Sequence, residues 1–161
     1  MRHICESHKG FSKAKNKYSR DLTGLITYLT NPMNKKQKQI FEAFEGKLVG
    51  GKIMKKAVIE VVSLMPEEIV NYVTSNCWFV SSFPDAYAFT FTGNDLKDQH
   101  LIFLTDELFF QNLKAIHYTI VHEIGHVILG HRNSVTVVQT KDEIRKQEKV
   151  ADKFARKYTS V

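Results

Sequence analysis

Between about residues 108 and 129, apolar residues cover most of the surface of a predicted helix, and the remaining arc carries two histidines and a glutamate. On a helical wheel Ile116, Ile120, Val121, Ile124, Val127 and Ile128 fill one broad arc. His122 and His126 lie on another, with Ala115, Thr119 and Glu123. A helix this apolar belongs in the middle of a fold. Imidazole and carboxylate groups carried inside with it cost free energy unless they find partners. Small neighbours on their arc leave room for a cleft. Gly130 follows the last periodic residue and suits the left-handed turn after a helix C-terminus.

Residues 122–126 read HEIGH. Side chains four apart stand one turn apart on one helical face. Two imidazoles so placed can hold a single metal ion, and the Glu between them can reach a metal-activated water. Zinc suits imidazole and brings the pKa of its water to about 7. The expected chemistry is hydrolysis, with Glu123 as general base and one zinc per chain.

The third ligand decides the class. A His-Glu-x-x-His-x-x-Gly-x-x-His pattern would need glycine at position 129 and histidine at 132, where this chain has Leu129 and Arg132. If the helix continued, His131 would point about 140° away from His126. Glu148 is the better candidate. In the last predicted helix, about 141–158, Ile144, Ala151, Phe154, Ala155 and Tyr158 form an apolar stripe with Glu148 at its border. A carboxylate at the edge of a buried face wants a cation. With this helix beside the first, Glu148 completes a His₂Glu set, and Asp152, one turn on, can accept the free N–H of a ligand histidine.

HEIGHVILGH followed by QEKVADKFA resembles the ImmA/IrrE-type metallopeptidases. Glu148, Ala151 and Phe154-Ala155 match that pattern, Val150 and Asp152 depart from it, and Glu148 with Asp152 gives the Glu-x-x-x-Asp form of the wider gluzincin group. The resemblance covers about residues 66–158. It implies His122, His126 and Glu148 as metal ligands and Glu123 as catalytic base. It also implies an intracellular peptidase acting on a helix-turn-helix repressor. The residue spacing itself supports only metal-assisted hydrolysis, with peptide bonds the expected substrate.

The rest of the chain is read around this pair of helices. Leu22, Leu25, Ile26 and Leu29 recur at helical spacing up to Asn31-Pro32, and a second helix is expected over about 34–48 with Ile40, Phe41, Phe44 and Leu48 on one side. Gly50-Gly51 is a candidate hinge, dividing a basic, mostly helical appendage (residues 1–50) from a core (51–161). Pro66-Glu67-Glu68 opens a short helix. Three strands are expected at Cys77–Ser81, Ala86–Thr92 and Leu101–Leu104, with residues 93–98 turning between the last two. The fold class is therefore α+β: a small antiparallel sheet packed with the His-Glu-x-x-His helix and a C-terminal ligand helix, a minimal zincin-like core. The strand AYAFTFT is a candidate edge for pairing with an extended peptide. His131, Tyr118 and Tyr158 are candidates for stabilising an oxyanion. His3, Cys5 and His8 on the N-terminal arm are a minor candidate for capping the zinc or binding a second metal.

Two cysteines, Cys5 and Cys77, are too few for a disulfide-stapled secreted domain, and no apolar run follows the basic N-terminus. A cytoplasmic protein with free thiols is expected, without a membrane span. Charge is uneven: residues 1–60 carry +8, 61–130 carry −6 and 131–161 carry +4. The basic flanks leave a second reading open, a non-catalytic metallopeptidase-like regulator that binds DNA or a DNA-binding protein.

Overall fold

The computed structural model describes residues 27–82, 88–91, 98–131 and 139–159. The N-terminal arm with His3, Cys5 and His8, most of the helix expected at 22–29 and most of the turn at 93–98 lie outside the described residues. The order is α1 (Lys35–Ala43), β1 (Leu48–Val49), α2 (Lys52–Ser63), α3 (Glu67–Asn76), β2 (Cys77–Ser82), β3 (Ala88–Phe91), β4 (His100–Thr105), a 3₁₀ turn (Asp106–Phe110), α4 (Leu113–Ile128) and α5 (Lys141–Thr159). The architecture is α+β, mostly helical. Among the described residues no helix is long and apolar enough to cross a membrane.

Local chemistry sets the ends. Asn34 caps α1 through a reciprocal pair with Gln37. Glu45 and Gly46 then take positive φ, 49° and 88°, which breaks the helix expected to reach residue 48 and releases β1. Asn112 accepts the Ala115 N–H and starts α4. The helix therefore begins five residues later than its hydrophobic pattern suggests, and the preceding segment is the 3₁₀ turn. Thr140 and Glu143 bond reciprocally at the start of α5. Helix α2 was not expected, although Met54, Ala57, Val58, Val61 and Val62 bury a continuous face of it.

The expected antiparallel sheet is corrected. The order is β1-β2-β4-β3, and β1–β2 and β2–β4 are parallel; only the edge strand β3 runs antiparallel, on β4. A parallel pair needs a long crossover, and α2 and α3 supply it between β1 and β2. The short connections around β3 suggest a meander, but β4 inserts between β2 and β3. One sheet face, with Cys77, Phe79, Ile102 and Leu104, is fully buried. Burial pushes the Cys77 thiol up to about 12, so it packs as a small apolar group.

Ile40, Phe44 and Leu48 join residues of α2, α3, the sheet and α4 in one core. Phe41, expected on the same face, is exposed. Helix α4 lies at the centre, touching β3, β4, α2 and α5. Ile120 and Ile124 are fully buried there, each worth about 1.5–3 kcal/mol of transfer free energy.

Candidate metal centre

Helices α4 and α5 form the site. Gly125, inside HEIGH, lies where they meet: a Cβ there would stand 3.0 Å from Cδ1 of Phe154. A side chain there would make the Phe154 ring give by a few tenths of an ångström, so the glycine suits the close approach of the two helices.

His122, His126 and Glu148 each aim one donor atom at a common point, all within 4.8 Å of one another. His122 Nε2 and His126 Nε2 are 3.1 Å apart. Glu148 stands 3.3 Å from His122 through Oε2 and 3.4 Å from His126 through Oε1. Donors about 2.0–2.1 Å from a tetrahedral ion stand about 3.3 Å from each other; the two imidazole nitrogens, and one carboxylate oxygen against each of them, lie near that spacing. The donor set, two imidazoles and a carboxylate, is one that catalytic zinc sites use.

The far nitrogens of both rings are also held. His122 Nδ1 is 3.1 Å from Asp152 Oδ1, within ion-pair distance. His126 Nδ1 is 3.0 Å from His131 Nδ1. Gly130, at φ 63°, folds the chain back so that the His131 N–H bonds to the His126 carbonyl at 2.9 Å. His131 thus lies behind His126, outside the group of converging donors. Burial, and after it the neighbouring His122, pushes His126 down to about 4, which keeps the imidazole neutral and able to ligate.

Glu123 is buried beside these donors and accepts a hydrogen bond from Thr90 Oγ1 at 2.5 Å. Burial raises its pKa; His122 and the Thr90 bond pull it down, and Glu148 pushes it up. Thr90 was missed by sequence reasoning. The alternation in AYAFTFT marks it as facing one side of a strand, but which side meets α4 depends on the sheet order.

Two oxyanion candidates are engaged elsewhere. Tyr118 Oη donates to Asp152 Oδ1 at 2.8 Å. Tyr158 lines a cavity with Leu113, His117 and Val121.

Comparison with known proteins gives a family. A family model described as Peptidase U49 matches residues 65–159, which spans α3, the sheet strands β2 to β4 and both site helices. No curated protein and no solved structure matches the chain. The match covers more than half of the sequence and includes every residue of the candidate centre, so the chain belongs to the Peptidase U49 family.

Proposed function

We propose that this protein is a zinc-dependent metallopeptidase of gluzincin type, with His122, His126 and Glu148 as ligands and Glu123 as general base. The observation that carries the reading is the convergence of two imidazoles and a carboxylate, one donor atom each within 4.8 Å, at a largely buried contact between two helices of a peptidase-family fold. Zinc held there would polarise the scissile carbonyl and bring the pKa of water near 7. Glu123 accepts the proton of the attacking water on its carboxylate and returns it to the leaving amine. Asp152 and His131 fix the two ligand rings. The outer edge of β3 presents backbone to an extended peptide, and Thr90 links that strand to the base.

In this reading residues 51–161 carry the catalytic unit, and residues 1–50 are a basic appendage whose Ile40, Phe44 and Leu48 contribute to the common core. The paucity of cysteine favours the cytoplasm as the place of action. A helix-turn-helix repressor as substrate rests on the ImmA/IrrE resemblance alone.

Elemental analysis of protein purified without added metal should find one zinc per chain, and a peptide library should be cleaved in a way that a chelator stops and zinc restores. A chain that takes up no zinc even after supplementation would falsify the proposal.

Thr90→Val should slow turnover and move the acidic limb of the kcat/KM profile to higher pH. The hydrogen bond favours the ionised carboxylate, so its loss raises the Glu123 pKa further and less base is present at a given acid pH. A pH–rate profile reads this directly; an unmoved limb would separate Thr90 from the base.

A further inference from the structure

Two series of residues at i, i+4 spacing face one another across the α4–α5 interface. Tyr118, His122 and His126 follow one face of α4, and Glu148 and Asp152 one face of α5. The contacts run as an antiparallel ladder. His126 meets Glu148, His122 meets both Glu148 and Asp152, and Tyr118 meets Asp152. The first three contacts make and orient the donor set. The fourth, at 2.8 Å, is the shortest, and it lies outside that set.

We propose that Tyr118 is a positioning residue of the metal centre, its hydroxyl holding the Asp152 carboxylate where it receives the Nδ1–H of His122. The inference rests on reading His122, His126 and Glu148 as a metal site. Asp152 is a third exposed and has a competing partner, since Arg156 lies 3.9 Å from its Oδ2 on the solvent side. The terminal torsion of an aspartate is soft, so one ion pair at the surface does not fix it. Tyr118 acts from the other side. Its ring packs beside His122, with centroids 6.3 Å apart and planes tilted by 31°, and its hydroxyl reaches past the imidazole to the same oxygen, Oδ1, that faces His122. Tyr118 donates to that oxygen, and His122 Nδ1 lies 3.1 Å from it on the other side. Carboxylate partners of ligating histidines set the tautomer and the ring orientation. Tyr118 acts one bond further out, on the carboxylate itself.

The test is zinc affinity, measured by competition with a chromophoric chelator in wild type, Tyr118→Phe, Asp152→Asn and the double variant. Phenylalanine keeps the ring packing, and unchanged circular dichroism checks the fold. Loss of such outer partners typically costs 10–100-fold in affinity, so Tyr118→Phe should weaken zinc binding roughly tenfold and Asp152→Asn by at least as much. The double variant should bind no more weakly than Asp152→Asn alone, because the tyrosine acts through the carboxylate. With both proteins zinc-loaded, the His122 Nδ1–H proton resonance of Tyr118→Phe should be shifted from its wild-type position. Wild-type affinity and an unmoved resonance in Tyr118→Phe overturn the inference, as do fully additive losses in the double variant. A wild-type chain that binds no zinc overturns the metal reading and this inference together; zinc uptake with an unaltered Tyr118→Phe overturns the inference alone.

Discussion

Glu123→Gln should keep its zinc and lose turnover, with kcat falling by roughly 10²–10⁴-fold, the range assigned to a positioned general base. The substitution changes almost nothing else. Glutamine has the shape of glutamate, and its amide oxygen can still accept the Thr90 hydroxyl bond. Glu123 also stands outside the converging donors, so metal content should not move. What disappears is the ability to hold a proton. Burial raises the Glu123 pKa, while His122 and Thr90 oppose the rise. Equal zinc by elemental analysis, with kcat from a chelator-sensitive peptide assay, gives both quantities on one preparation. Retained turnover would remove Glu123 from the mechanism. Loss of zinc alongside activity would mean instead that the carboxylate helps to hold the ion.

The chemistry-bearing residues were legible because they sit on helices, whose periodicity is local. HEIGH fixes two imidazoles on one face whatever surrounds it, and the apolar arc of Ile116, Ile120 and Ile124 makes burial a necessity. Glu148 could be inferred because it borders the stripe that must pack on that helix. Gly125 was visible as a residue, but its role in admitting Phe154 belongs to the contact between helices. The sheet was less legible for the same reason. Two-residue β1 carries almost no pattern, and the insertion of β4 between β2 and β3 is a long-range choice that short connections do not reveal. Thr90 and Tyr118 follow suit: each hydroxyl bonds a carboxylate more than thirty positions away, and that pairing is set by how the elements pack.

Glu148→Ala should lose zinc, and by more than the roughly 10–100-fold that removal of an outer hydrogen-bond partner costs. The carboxylate faces both imidazoles, at 3.3 and 3.4 Å, and supplies the only formal negative charge in the donor group. Without it two neutral histidines must hold a divalent cation. Stability reports the loss independently of activity. Zinc at 100 times its dissociation constant stabilises a chain that binds it only when folded by about 2.7 kcal/mol. For a domain of this size that raises Tm by roughly 5–11 °C. The wild type should show such a rise on adding zinc, and Glu148→Ala should show little at the same concentration. The variant leaves the core unaltered, since Glu148 lies at the border of the buried stripe and Ala151 and Ala155 carry the packing. A full thermal response in Glu148→Ala would place the third ligand elsewhere. His131 would then be the next residue to replace, because its Nδ1 lies 3.0 Å from His126 Nδ1.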